Sequence, residues 1–429
     1  MGSGLPVRGN PALGLIAGTL AFFGGFAAVA LFNVTARTIA PKLNLSIVEI
    51  GWLVAIPTLT GSLLRIPFGA LVDKIGGRRV ILTQLGIALV GMAGLVATLN
   101  AIESGSLLSP LLAYALLMLF GAVAGTGISV FSSGIAYVSY WFPRARQGFA
   151  LGAYAGFGNT APGIFTAVLP IALASLGLIN SYVVWAGILA AMLVVFAAIG
   201  HDPYYFQLAR RMDRERAIAE AKKLGQELFP TGSLAESLKI SARVWRTWLL
   251  VVMYFTSFGG FLALTSWLPT YWGNYLGLST AMAGLLSGVV YSLLASLVRV
   301  LGGWLSDRAG GERMALASYV IMAAGSLVVA TSASFTQSVA GVLIMAVGMG
   351  IANAAVFKLV PKYVPEAVGG ATGWVGGLGA TGGLVLPPVM AYIVAAMGIP
   401  GYAAGFYVFT ALAVASLAMS YILYSHGGR

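Results

Sequence analysis

Residues 65–79, RIPFGALVDKIGGRR, return as residues 299–313, RVLGGWLSDRAGGER. At one constant offset the chain pairs Arg65 with Arg299, Gly69 with Gly303, Asp73 with Asp307, Lys74 with Arg308, Gly76 with Gly310, Gly77 with Gly311 and Arg79 with Arg313. So many identities at a single spacing do not arise by chance. The period is far longer than the roughly 20–50 residues of a solenoid repeat, so it divides the chain into two equivalent halves. Each copy places an arginine inside an apolar run and then ends in a charged glycine turn.

Composition fixes the solvent. Of 429 residues 59% are apolar and only 8% charged, with 57 glycines, which leaves too little polar surface to cover a water-soluble globule of this size. The chain belongs in a bilayer. With no cysteine there is no disulfide, thiol nucleophile or thiolate metal site, and the two histidines, His201 and His426, lie outside the apolar runs. No metal or cofactor is expected. The net charge of +12 is carried by short loops between apolar segments, where it reads as membrane topology and not as a nucleic-acid surface.

Twelve segments are long enough to cross about 30 Å of hydrocarbon. They fall near residues 12–38, 46–72, 79–100, 108–141, 146–176, 180–200, 247–272, 279–306, 313–333, 336–360, 367–397 and 400–424. The first is expected to stay as a helix, since its apolar run is too long for a cleaved leader and lacks a basic start. Lys74, Arg78, Arg79, Arg144, Arg146, Arg308, Arg313 and Lys362 all fall in loops on one side, against Arg37 and Lys42 on the other, which predicts cytoplasmic termini. The expected fold class is an all-α integral membrane protein of twelve transmembrane helices in two pseudo-symmetric six-helix bundles. The expected divisions are 1–200, a cytoplasmic linker at 201–246, and 247–429. Nine basic and six acidic residues fill that linker, and RRMDRERAIAEAKK reads as a charged amphipathic helix lying as a tether at the lipid interface.

A second echo pairs Gly148, Gly152, Gly156 and Gly158 in the fifth segment with Gly369, Gly373, Gly377 and Gly379 in the eleventh. Glycine at every fourth position bares one face of a helix, which serves close helix packing. The same face in corresponding helices of both halves also suits backbone that slides past a partner or approaches a small substrate. Both readings stand at this point.

Arg65 lies about 12 Å inside its helix, counting roughly 1.5 Å per residue back from Asp73, and the repeat puts Arg299 at the same depth. Each costs at least about 2.5–3.5 kcal/mol there on insertion scales. No acid is placed to neutralise them: Glu49 sits near the start of the second segment and the other carboxylates lie in loops, in the linker or at helix ends. Backbone carbonyls and water are one way to satisfy two guanidiniums. The sharper reading is that the missing counter-charge is the substrate, a small anion held between two arginines that face each other across the axis between halves.

The turn GALVDKIGGRR, with its second copy GWLSDRAGGER, resembles the signature loop of the major facilitator superfamily. LLRIPFG around Arg65, SLVRVLGGWLSDR around Arg299, AGFGN ending at Asn159, and GWVGGLGATGG from Gly373 to Gly383 look like the nitrate/nitrite porter family within it. The resemblance covers essentially the whole chain. It implies that Arg65 and Arg299 bind the anion, that Asn159 hydrogen-bonds it, and that Tyr254, Phe258, Phe131 and Phe32 supply the aromatic walls. Nitrate is flat and weakly hydrated, so planar guanidinium forks and rings suit it better than a lysine point charge. Pro162, shortly after Asn159, departs from the family pattern. Gating is expected of Asp73, Asp307, Arg79 and Arg313 in the turns and of Gly156, Gly158, Gly373 and Gly377 on the bare faces. Asp73 and Asp307 are expected to steady the outward-facing state against basic loops and the N-termini of the eleventh and fifth helices.

The function this points to is nitrate/nitrite transport by alternating access at the plasma membrane, as a monomer, with exchange favoured because no carboxylate lies along the path to carry a proton. Lys358 and Tyr254 are the groups that leave proton-linked uptake open. Other small anions, such as a carboxylate or phosphate, remain alternatives, as does an anion-binding membrane receptor signalling through 201–246. An enzyme is not indicated, because no acid/base pair or nucleophile constellation lies at membrane depth.

Overall fold

In hydrocarbon every backbone N–H and C=O must be satisfied within the chain, so long runs of Leu, Val, Ala and Gly close into helices. A computed structural model describes residues 7–106, 109–143, 146–230 and 233–426; Arg144 lies outside the described residues, as do the surroundings of Gly148. Among the described residues every regular element is helical.

Spans one to four are Pro11–Ala30, Ile47–Ile75, Gly77–Glu103 and Pro110–Trp141. Spans five and six form one apolar run, Phe149–Ile199, which Gly177 breaks at φ 77°, a conformation that favours glycine. Trp245–Tyr275, Thr280–Ala309, Gly311–Ala330, Phe335–Tyr363, Pro365–Met397 and Gly401–His426 are spans seven to twelve. The fold is therefore the expected one of twelve helices. The first segment differs from its expected extent: its helix ends in a 3-10 turn at Ala27–Ala30, and a separate short helix Ala36–Leu43 follows.

The repeated turns have the same backbone. Gly76 and Gly310 take φ 87° and 90°, each opening the next helix. In the first copy the backbone N–H of Arg78 donates to buried Asp202 at 2.8 Å, while Arg78 Nε donates to the carbonyl of Gly200 at 2.7 Å. Asp202 thus caps the third span at its positive end, a role that its place in the linker sequence concealed.

The two ends of the molecule pack differently. Opposite the repeated turns the halves interlock: Asn33 donates to the carbonyl of Thr265 at 3.1 Å, Arg37 to that of Leu278 at 3.0 Å, and Ser266 to that of Val29 at 3.3 Å. Gly51 lies so close to Ala391 that a Cβ would come within 2.6 Å of it, and Gly284 presses on Pro170 in the same way. At the basic end, Asp73 accepts from Tyr140 at 2.6 Å and Asp307 pairs with Lys358, each within its own half. The fifth span shows the gradient along its bare face. A Cβ on Gly156 would touch Val300 at 3.3 Å, whereas one on Gly152, a turn nearer the basic end, would meet nothing within 4 Å. Among the described residues the halves interlock at one end, and the fifth span stands clear of its partner toward the other.

The linker is more than an interfacial tether. Its helix Leu234–Arg243 lies on the eleventh span, with the Gly370 N–H donating to Ser237 Oγ at 2.9 Å and Trp374 Nε1 to the carbonyl of Leu238 at 3.0 Å. Its earlier helix, Arg214–Lys223, buries Ala217 and Ala221 against Leu208, Tyr204 and Val7.

Candidate functional site

Arg65 follows immediately on a break in the second span at Leu64, and its side chain is fully buried. Its Nε donates to the carbonyl of Gly61 and its Nη1 to that of Gly376 in the eleventh span, both at 3.1 Å, while Nη2 is buried without a partner. Arg299 is half-buried, and its Nη1 is likewise buried and unpartnered. Among the described residues no carboxylate comes within ion-pair range of either.

Aromatic faces take the place of counter-ions. Arg65 Cζ stands 4.7 Å from the ring centre of Phe131 and 5.0 Å from that of Phe258. Arg299 Cζ stands 5.8 and 5.6 Å from the same two rings, and 5.9 Å from Phe357. Phe131 and Phe258 stack on each other at 6.0 Å. Each close contact of this kind is worth about 0.5–2 kcal/mol, which offsets part of the insertion cost and leaves Arg65 Nη2 and Arg299 Nη1 free to bind. Tyr254 stacks on Phe258 at 4.9 Å, and its hydroxyl lies within electrostatic reach of both arginines without a hydrogen bond of good geometry.

Irregular backbone aims these groups. Phe131 follows a 3-10 turn at Thr126–Ser129, and Phe258 lies inside a π-turn, Phe255–Gly259. Asn159 occupies the break between helices Gln147–Gly158 and Ala161–Ile199, and Pro162 stands in the first turn of the second, where its missing N–H costs nothing. Both side-chain amide atoms of Asn159 are buried without partners. Beside Arg299, the residues Asn159, Asn353, Ser296, Phe258, Phe261 and Ala295 line a narrow gap too tight to admit a water molecule.

Six of the seven side chains expected to bind substrate therefore meet. Phe32 does not join them: it is buried against Gly121 in the fourth span, and no ring or cation contact links it to the cluster among the described residues. The first span sends Phe26 instead, stacked on Phe258 at 6.3 Å, and Phe22, 5.4 Å from Phe131. Sequence reasoning missed Asn353 and Phe357, four residues apart on the tenth span. It also missed Tyr154, whose hydroxyl donates to the carbonyl of Val130 at 2.8 Å beside Phe131. Four-residue spacing on a helix was the available signal for the first two, but a single such pair is ordinary packing.

The residues assigned to gating divide. Gly156 abuts Val300, next after Arg299, and Gly377 abuts Ile66, next after Arg65, so each bare helix touches the arginine helix of the other half. Gly158 instead makes room for the Phe22 ring within its own half, and Gly373 faces Leu238 of the linker. Arg79 and Arg313 are exposed at the basic end, where Arg79 joins Asp73, Lys74 and Arg210 around a cavity of about 240 Å³.

A family model described as Major Facilitator Superfamily matches residues 16–293 and again 275–427. The fold is also that of a xylose transporter from E. coli solved in a partially occluded inward-open conformation, with a TM-score of 0.72 at 14% identity over 97% of this chain and 99% of that one. Twelve helices in this arrangement make the protein a multi-pass membrane protein of that superfamily. A Thermus thermophilus protein named "probable nitrate/nitrite antiporter" is 34% identical over 408 residues, 89% of this chain and 85% of its own. A "probable nitrate/nitrite transporter" of Mycobacterium tuberculosis is 32% identical over 82% and 81%, and the "nitrite extrusion protein" of Bacillus subtilis 28% over 95% and 93%. Within the superfamily, the chain belongs to the nitrate/nitrite porter family.

Proposed function

We propose that this protein exchanges nitrate for nitrite across the plasma membrane by alternating access, with the anion held between Arg65 and Arg299. One observation carries the reading: two buried guanidiniums with no carboxylate in range share the faces of Phe131 and Phe258, and each keeps a buried N–H group without a partner. A flat, delocalised monoanion satisfies both at once, accepting from these two N–H groups in its plane while its faces lie on the rings. Tyr254 and Asn159 complete the polar lining. The relatives' names support this substrate, and the basic end is assigned to the cytoplasm together with both termini.

Exchange follows from the charges. Arginine does not release its proton in proteins, so the site stays doubly positive whether loaded or not, and conversion between states is easier with an anion aboard. Lys358 is held at the basic end by Asp307 and the carbonyl of Ser306, which weakens the case for it as a proton carrier at the site. The protein acts as a monomeric carrier with no cofactor.

Counterflow in proteoliposomes tests this. Internal nitrite with no pH gradient is expected to drive nitrate entry, with chloride, formate and phosphate competing weakly. Uptake driven by a pH gradient with no internal anion, and none by internal nitrite, would replace exchange by proton symport and leave the arginine site standing.

A further inference from the structure

Asn353 is a buried amide without an assigned task. It is 3% exposed, its Oδ1 meets no hydrogen-bond partner, and it lines the gap beside Arg299 together with Asn159 and Ser296. Its position is fixed by close helix contact: a Cβ on Gly350 would fall 2.6 Å from the carbonyl of Ala295, and one on Gly302 would fall 2.7 Å from the backbone of Ile351. The tenth span is thus pressed onto the eighth beside Arg299. One turn further on, the same face presents Phe357, 5.9 Å from the Arg299 guanidinium. A buried amide oxygen and nitrogen exchange places by rotation about the last side-chain bond, and a neighbouring anion selects the orientation in which the N–H₂ points inward.

We propose that Asn353 is a specificity-determining residue that donates to the third oxygen of a trigonal anion and so separates nitrate from nitrite. The inference rests on the anion-exchange reading above. Two oxygens of either ion accept from Arg65 Nη2 and Arg299 Nη1, the two buried nitrogens left without partners. In nitrate the remaining N–O bond points away from these two oxygens, toward the gap that holds Asn353 and Asn159. Nitrite presents only the lone pair of its nitrogen in that direction, one bond length short and a weaker acceptor. A site built to hydrogen-bond an atom discriminates against the analogue that lacks it, because its buried donor is then left unpaired.

The test is a ratio measured on the full chain in proteoliposomes: half-saturation by external nitrate and by external nitrite, each against internal nitrite. Asn353→Ala is expected to raise the value for nitrate about tenfold while that for nitrite stays within about twofold. Asn353→Ser, which keeps a shorter donor, is expected to fall between, and it carries the same comparison if the alanine variant is not recovered in the membrane. An equal change for both ions, or no change in the ratio, overturns the assignment and leaves Asn353 a packing residue. Failure of the underlying function is seen separately, as a wild type that takes up neither ion.

Discussion

Arg65 shows how one side chain is divided between structure and recognition. Two of its nitrogens hold the carbonyls of Gly61 and Gly376, its face lies on two rings, and Nη2 remains. The bond to Gly376 also ties the second span to the eleventh, across the two halves. An ammonium has one nitrogen and cannot reproduce this set. Arg65→Lys should therefore lower nitrate exchange by at least about tenfold despite keeping the charge, with protein still present in the membrane. Exchange equal to wild type in the counterflow assay would remove the fork from the mechanism. Phe258 is the corresponding hub among the rings, in contact with Phe26, Phe131, Tyr254 and Phe261 as well as both arginines.

Among the elements, the bare faces of the fifth and eleventh spans, proposed to slide between states, are packed unequally. The basic half of the eleventh is covered by the linker helix, since a Cβ on Gly370 would strike the carbonyl of Ser237 at 2.2 Å, whereas the matching stretch of the fifth around Gly152 is open. Leucine at Gly152 has room in this state but obstructs closure of the basic end. Gly152→Leu should therefore bind nitrate, seen as a raised melting temperature on its addition, while turnover falls by at least about tenfold. Normal turnover would show that this face never meets a partner. The paired arginines, the repeated turns and the twelve spans were legible because charge or glycine stands out against apolar sequence, whereas Asn159 was reached through the family resemblance. The breaks at Leu64, Thr126–Ser129 and Asn159–Thr160 and the π-turn at Phe255–Gly259 were not, because residues such as Thr-Gly-Ile-Ser or Phe-Thr-Ser-Phe-Gly fit a regular helix equally well. Those breaks decide which rings meet. Phe131 and Phe357 enter the cluster through them and through tertiary contact, while Phe32, also buried and aromatic, turns toward Gly121.

For the whole molecule, the contrast between a sealed end and one where the fifth span stands clear sets what a single cysteine in this cysteine-free chain should report. Thr270→Cys, at a position 1% exposed near the sealed end, should resist a water-soluble thiol reagent, and Gly152→Cys should react. Reaction in the reverse order would mean that the chain rests open to the other side. The seal has a further consequence. It is made by Asn33, Ser266 and Arg37 donating to backbone carbonyls, supported by Asn33 on Thr166 at 2.6 Å, and no carboxylate or imidazole takes part in these bonds. The cross-half bonds there therefore hold no proton switch of their own; the carboxylates at that end, Glu49 and Glu103, are engaged within the first half by Ser46 and Lys42, and Asp73, Asp307 and Glu312 stand at the other end. On the proposed orientation this latch faces outward, and a cell whose surroundings turn sour keeps its cross-half bonds unchanged.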